Sequence, residues 1–520
     1  LELARESFVN AGKNIKDFPF QDNELNDFSN TDTKWVDLFY GMGQNHITNI
    51  TARGGTERLR YYLSGEYFND RSTIIGNDQN RLGLRTNLDF AISKKVNLQV
   101  NSYFSYNKNN IFNPGNDYYQ LLPIYSPYNP DGSFRLYNKI IDGTDALGNP
   151  VWKIQKFFNS LAEREENDNY QKTFFYNLNA QLEYRILKGL TITTKLGSDI
   201  QNVNEDLYSA RTNWSGRAID GTPVGYAYRY NSDFNNYTFY ERMNYNKKFG
   251  RNNFFLMGLI ELQSNQTKTL YASGSGFAND KIKEISYASD RSGGSSWSLR
   301  RTVSYVGNFN YNYFEKYYLI GSYRRDGSSG FAKNAKWGNF GSIGAAWVIS
   351  KEKFIMNEKI NLLKLNITYG VAGNSKFGSQ DALGLYTYSD SYNYMNQLGA
   401  VMSGTPNAFL SWENVYTTNL GFDFWYHNKL KIRLDAYNKI TKGAISQLDI
   451  SRTSGSTRAY RNYGDIQNKG IELNINYFII RNDVWSWNIN INAAHNSNKL
   501  MKLFNGLSKT NGNYLYQEGK

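Results

Sequence analysis

No cysteine occurs among the 520 residues, which excludes disulfides and thiolate metal sites. Histidine is almost as scarce. His46, His427 and His495 stand far apart and in no metal-ligand spacing, which argues against a histidine-based active site or metal centre. Proline is limited to 8 residues, so most of the chain is free to enter hydrogen-bonded ladders. No run approaches the roughly 18–20 apolar residues of a membrane helix, and the mean hydropathy is −0.63. The net charge of +13 is scattered rather than gathered into runs, which argues against a nucleic-acid footprint. It leaves an anionic membrane surface or basic loops as explanations. None of these absences excludes a membrane β-barrel, whose signal is hidden because every second residue faces a polar interior.

What the chain has instead is alternation and aromatic side chains. Tyr 42, Phe 31 and Trp 10 together make 16% of the sequence. In Tyr317–Ser350, residues Tyr317, Leu319, Gly321 and Tyr323 fall on one face and Tyr318, Ser322 and Arg324 on the other; Ile343, Ala345, Trp347 and Ile349 then repeat the pattern. A period of two marks a strand between unlike environments. The same pattern sets Leu82, Leu84, Leu88, Phe90 and Ile92 against Arg81, Arg85, Asn87 and Asp89, and then Leu98 and Val100 against Gln99 and Asn101. About sixteen such strands are expected. Short turns and long polar loops alternate between them, the long ones spanning 107–171, 201–235, 264–297, 374–411 and 441–467. Tyr184, Tyr245, Tyr313, Tyr317, Trp425, Tyr477 and Trp487 sit beside the short turns, where an aromatic girdle meets a membrane boundary. The expected fold is all-β, a large transmembrane antiparallel barrel. A soluble β protein with core aromatics is the bland alternative, and strands this long count against it.

Three regions are expected: 1–43 as a surface segment without periodicity leading into the barrel, 44–498 as barrel strands with long extracellular loops, and 499–520 as the start of a further loop. The chain opens on Leu1 with no leader pattern and stops in a polar stretch at Lys520, so it reads as an internal piece of a longer protein.

A series of segments then points to a family. They are Gly54-Gly-Thr-Glu-Arg, Tyr305-Val-Gly-Asn-Phe-Asn-Tyr, Tyr323-Arg-Arg-Asp-Gly-Ser-Ser-Gly-Phe, Trp337-Gly-Asn-Phe-Gly-Ser-Ile-Gly-Ala-Ala-Trp, Leu365-Asn-Ile-Thr-Tyr-Gly-Val-Ala-Gly-Asn-Ser and Asn462-Tyr-Gly-Asp-Ile-Gln-Asn-Lys-Gly-Ile-Glu. In this order they resemble the SusC/RagA family of TonB-dependent outer-membrane transporters of Bacteroidota. The family often has Phe-Pro-Ser where this chain has Phe340-Gly341-Ser342. The resemblance implies a 22-stranded barrel, about sixteen strands of it in this chain. It also implies an outer-membrane location, no enzymatic activity and no cofactor. The implied activity is TonB-energised import of glycan or peptide nutrients. The implied partners are a SusD-like surface lipoprotein, the TonB–ExbB–ExbD complex through a plug region outside this sequence, and outer-membrane lipid with lipopolysaccharide. A SusC-like barrel kept as a scaffold within a larger outer-membrane assembly is the alternative.

Candidate residues fall into three groups. Tyr118, Tyr119, Tyr125, Tyr128, Trp214, Tyr226, Tyr392 and Tyr394 are loop aromatics able to stack on a ligand or partner, or to pack the loops themselves. Arg81, Arg85, Asp89, Lys195 and Glu472 are expected on the polar face, contacting a plug or solvated in a lumen. Arg324, Arg325, Asp326, Gly327, Ser328 and Ser329 form the most specific motif, read as structural: an Arg–Asp pair and a glycine turn at a strand end. The alternation carries its own test. Leu84→Arg or Leu98→Arg should destabilise the inserted protein by about 2–4 kcal/mol near the bilayer midplane, whereas Asn87→Arg or Asn101→Arg should be mild. Chemical unfolding of the refolded protein in lipid vesicles measures this, and equal losses on the two faces would contradict a barrel.

Overall fold

Residues 2–18, 30–115, 121, 123–144, 150–156, 159–218, 221–355, 357–374, 382, 385–395, 397–455, 458–502, 509–511, 514–516 and 518–519 are described by a computed structural model. Alternating segments become long strands because each presents an apolar row and a polar row to two different surroundings. The strands are β1 (Gln44–Gly55), β2 (Leu59–Arg71), β3 (Asp78–Ala91), β4 (Val96–Asn110), β5 (Asp168–Leu187), β6 (Leu190–Ser209), β7 (Tyr226–Phe249) and β8 (Asn252–Ser275). They continue as β9 (Asp290–Tyr313), β10 (Tyr317–Ser328), β11 (Trp337–Val348), β12 (Ile360–Asn374), β13 (Glu413–Tyr426), β14 (Leu430–Lys442), β15 (Asp465–Arg481) and β16 (Ser486–Lys502). All sixteen join one sheet in which every strand pairs antiparallel with its neighbour along the chain.

Register shows how this wall is inclined. A single row on the apolar face runs Leu59, Phe90, Leu98, Leu182, Thr194, Glu241, Ile260, Tyr305, Arg325, Asn339. Leu59 follows a short turn directly, while Asn339 stands about nine residues from the short-turn end of β11, nine strands away. A climb of about one residue (3.3 Å) per strand spacing (4.8 Å) corresponds to a tilt of roughly 35°. The large hydrophobics of this face are exposed to the surroundings: Leu84 51%, Leu196 56%, Ile343 58%. Water would not tolerate so continuous an apolar band, and a bilayer requires it.

Turn length nearly keeps its parity along the wall. The connections 56–58, 92–95, 188–189, 250–251, 314–316, 349–359, 427–429 and 482–485 lie at one end; the longest ones lie at the other, where 72–77 and 329–336 break the pattern by being shorter than 349–359. At 188–189 the turn needs glycine: Gly189 has φ +89°, and an added Cβ would stand 2.1 Å from the Asn246 carbonyl oxygen. Phe314 with Glu315, and His427 with Asn428, adopt positive φ in pairs, the geometry whose twist matches a tight hairpin.

Several sequence expectations need correction. Segments 201–235 and 264–297 are strand for most of their length; β7, β8 and β9 each run 24 residues, roughly 80 Å, far beyond the 9–11 residues that cross a bilayer. Alternation fades there because both faces become polar once a strand leaves the membrane, so the signal is lost while the ladder persists. Tyr226 accordingly opens β7 rather than lying in a loop. Residues 107–171 hold a hairpin (Tyr137–Thr144 with Pro150–Lys156) and a helix, Ser160–Glu166. The opening segment contains helices Glu2–Asn10 and Trp35–Phe39, too short for periodicity to show.

At the short-turn end, Tyr313, Tyr317 and Trp347 stack in sequence, with ring centroids 6.3 and 6.5 Å apart. Glu352, in the 349–359 turn, clamps them. It accepts from the Tyr317 hydroxyl at 2.6 Å, Lys316 Nζ at 3.0 Å and Trp347 Nε1 at 3.1 Å. These donors, Tyr317 foremost, lower its carboxyl to a pKa of about 2. A depressed carboxylate stabilises fully above its ordinary value of 4.5, and that contribution disappears as pH falls from there through about 2. Heat-induced unfolding followed across that interval should therefore show an acid-dependent loss in the native protein that is absent in Glu352→Gln.

Candidate functional site

The long-loop end is built as a second layer of small cores above the wall. Asn159 is fully buried and caps the helix Ser160–Glu166, its Oδ1 accepting from the N–H groups of Leu161 and Ala162 at 3.1 and 3.4 Å. Its amide nitrogen donates to the carbonyls of Pro127 at 2.7 Å and Arg135 at 3.1 Å. One side chain thus fixes two distant stretches of the 111–167 loop, because an unpaired buried amide would be costly. Leu161 packs with Trp35 and Phe39, and with Phe112, Tyr125 and Phe134 around them. Segment 30–43 is tied in by backbone bonds from Thr33 to Pro123 and from Gly41 to Thr73.

The layer continues laterally. Buried Glu163 accepts from the Ser215 backbone N–H at 2.9 Å and from its hydroxyl, and Thr212 donates to Glu166 at 2.7 Å. Burial still raises the Glu166 carboxyl above its ordinary value, against that hydrogen bond. Asp280 accepts from Tyr208 Oη and the Arg211 N–H, both at 2.8 Å. The 111–167, 210–225 and 276–289 loops are thereby bonded to one another. Across β10–β14 a second group forms: Phe331, Phe340 and Trp412 pack together, beside Ala332, Ala382 and Leu410.

Beneath that second group a cavity of about 610 Å³ opens on the polar face. Arg324 holds its floor. Its Nε donates to both Asp326 oxygens at 2.6 and 2.8 Å, and its Nη2 to Ser304 Oγ at 2.8 Å and Glu261 at 3.4 Å. Phe340 and Trp412 form the aromatic wall. Flexible, charged hydrogen-bonding groups beside flat rings suit an uncharged polar chain such as a sugar or a peptide backbone.

The motif residues divide between faces. Arg324, Asp326 and Ser328 point to the polar side. Arg325 lies on the apolar side with its guanidinium 5.0 Å from the Trp337 ring, and Gly327 lies under that ring, where a Cβ would meet it at 2.9 Å. Ser329 returns the chain, its N–H bonding to the Arg301 carbonyl at 2.9 Å. Arg81, Arg85, Asp89, Lys195 and Glu472 all stand on the polar face by register. Arg81 pairs with Glu66 at 2.7 Å and Asp89 with Arg60 at 2.8 Å; Arg85 covers Tyr103 and Lys195 covers Tyr240. Glu472 lies opposite Asp435 and is exposed.

Among the described residues the loop aromatics are not brought into one cluster. Tyr125 packs into the loop core, Tyr128 stacks on Phe134 at 5.3 Å, Trp214 is half-buried in the 210–225 loop, and Tyr226 is partly exposed at the start of β7. Tyr394 is 78% exposed at the end of the hairpin Leu385–Tyr394 with Gln397–Gly404. Tyr392 belongs to that hairpin, but its side chain, like Tyr118 and Tyr119, lies outside the described residues. Sequence reasoning passed over Asn159, Glu163, Trp35 and Phe39. An Asn immediately before a short helical stretch is the signal that marks Asn159; Trp35 and Phe39 carry none, since their partners are remote in sequence.

The model of the family described as TonB dependent receptor-like, beta-barrel, matches residues 125–517. The chain belongs to that family. It is 28% identical over 510 residues to TonB-dependent receptor P3 of Formosa agariphila, covering 94% of this chain and 48% of that protein. It is 26% identical over 506 residues to SusC of Bacteroides thetaiotaomicron, covering 92% and 49%. Among solved structures, the RagAB peptide importer in its open-open state superposes with a TM-score of 0.80 at 21% identity, over all of this chain and 60% of that one. The chain spans about half the length of the curated relatives it matches. As a TonB-dependent receptor barrel its apolar face meets the lipid of the outer membrane and its polar face lines the lumen.

For this barrel the loop layer makes a specific prediction. Asn159→Ala should cost about 1–3 kcal/mol of local stability, seen as faster hydrogen exchange and protease cleavage within 111–167, with the strands β4 and β5 protected as before.

Proposed function

We propose that this barrel forms the wall of an active importer of glycan or peptide nutrients, energised through TonB–ExbB–ExbD and working with a SusD-like lipoprotein over its long-loop end. The observation that carries this reading is the loop layer: bonded loops, packed on cores of their own, above a lumen cavity that joins Arg324 and Asp326 to Phe340 and Trp412. Loops this long inside a compact domain are usually functional. The kinship with SusC and the fold shared with the RagAB importer support the same reading. In it, the exposed Tyr394 and Tyr128 are contact residues for lid or ligand, Arg81, Arg85, Asp89, Lys195 and Glu472 face a plug, and the motif Arg324–Ser329 shapes the wall.

The test is done on native membranes. Mild-detergent purification of the full-length protein should bring down a SusD-like lipoprotein, and deletion of its gene should reduce uptake of labelled oligosaccharides or oligopeptides to the level of a strain lacking TonB. Unchanged uptake of both substrate classes, with the barrel still held in a large outer-membrane complex, would favour the scaffold role instead.

A further inference from the structure

Strands β8 and β9 pair residue for residue over their full length, with no shift of register. On its other side β9 is paired with β10 only from Thr302 to Tyr313. Residues 290–301 of β9 therefore form a free edge of the sheet. That edge stands outside the membrane. Arg301 is about twelve residues, roughly 40 Å, from the short-turn end of β9, whereas a tilted strand needs only about 30 Å to cross the apolar band.

The last bonds toward β10 fix which backbone groups the edge offers. The Ser329 N–H donates to the Arg301 carbonyl at 2.9 Å, and the Arg301 N–H donates to Ser329 Oγ at 2.9 Å. Both backbone groups of Arg301 thus point away from β8. By the period of two, those of Arg291, Gly293, Ser295, Trp297 and Leu299 point the same way. Among the described residues none of these groups has a backbone partner. Sheet proteins blunt such an edge with proline, lysine, a bulge or a covering loop. Segment 290–301 reads Asp-Arg-Ser-Gly-Gly-Ser-Ser-Trp-Ser-Leu-Arg-Arg, without proline or lysine and uncharged between Arg291 and Arg300. It has no bulge, and most of it is exposed, Trp297 at 54%.

We infer that the free edge of β9 is a strand-addition site for an extended, acidic oligopeptide. Successive open N–H and C=O pairs recur every two residues, about 6.8 Å, which is the repeat of an extended polypeptide, so ligand residues facing β9 complete the ladder. The surroundings select the charge. Arg291, Arg300 and Arg301 lie on the strand, Lys268 stands opposite Trp297, and Lys333 and Lys336 belong to the 329–336 connection, beside which the Arg300 side chain lies at Gly330. Asp290 is the one acid of the segment. Next along β9, Thr302 and Ser304 line the lumen cavity of about 610 Å³, so the edge leads to the candidate site. That the peptide is cargo rests on the import reading; the pairing does not. A second copy does not fit. The two-fold axis relating barrels in one membrane runs along its normal, so two β9 edges run in the same sense with opposed tilts and form no antiparallel ladder.

The full-length protein in detergent would be titrated with a fluorescent nonapeptide alternating Glu with Thr, followed by anisotropy. Two further peptides carry backbone N-methyl groups on the Glu or on the Thr residues. Only one of them should lose affinity, by roughly tenfold or more, because only one edge of the ligand meets β9. A peptide with Lys in place of Glu should be weaker by a similar factor. Ser295→Pro deletes an N–H that points to the open edge and no bond to β8, so it should leave folding intact, as heat-modifiable gel mobility checks, and weaken the peptide roughly tenfold. The double variant Arg301→Gln, Lys333→Gln should weaken it too, and carries the test if Ser295→Pro misfolds. Equal binding of the two methylated peptides, equal binding of the Lys peptide, or unaltered affinity in the folded variants would each overturn the assignment. Peptide binding without TonB-dependent uptake of either substrate class would overturn the import reading alone. Uptake of oligosaccharide by a protein that fails to bind the peptide would overturn the edge site alone.

Discussion

A backbone amide in hydrocarbon has no water to bond, and this constraint governs the molecule. An unpaired N–H or C=O in lipid costs several kcal/mol, and among the described residues no helix is long and apolar enough to cross a membrane, so the crossing is made by a continuous ladder. Each strand from β2 to β15 is bonded on both sides. Once the ladder is obligatory, the side-chain period of two becomes obligatory as well, and every residue is assigned to lipid or lumen by parity alone. The tilt seen in the climb of the Leu59–Asn339 row follows from closing such a ladder around a lumen.

Above the membrane the constraint relaxes and a different physics takes over. Water is available to the backbone, so the strands have no need to continue, yet β7–β9 run on and carry the loops with them. The loops are then held by ordinary globular means: a buried cap at Asn159, carboxylate Glu163 accepting three donors and Asp280 two, and aromatic clusters around Trp35 and around Trp412. The result is a stiff rim over a lumen wall whose most elaborate polar group is the Arg324–Asp326–Ser304–Glu261 network. Arg324 and Arg325 show how sharply the ladder divides chemistry. Adjacent in sequence, one organises a lumen cavity and the other stands at the lipid boundary.

How much of this was legible in the sequence depended on the range of the interactions. Strand identity, the two faces, the turn parity and the sides occupied by Arg81, Arg85, Asp89, Lys195 and Glu472 rest on period two, a property of neighbouring residues, and they were readable. The length of β7–β9 was not, because alternation reports a difference between environments, and outside the bilayer both faces meet polar surroundings. The loop candidates fared differently again. Tyr125 packs into the loop core, whereas Tyr128 stacks on Phe134 and keeps an exposed face.

The sequence by itself determined that this protein is a barrel wall and which residues face which solvent, since a hydrogen-bonded ladder leaves parity no freedom. The tertiary structure alone decided which side chains meet across loops and strands. Trp35 reaches Leu161, Glu163 reaches Ser215, and Glu241 shares a row with Arg325, because register and loop packing are set by contacts between residues tens to more than a hundred positions apart. No local pattern encodes those.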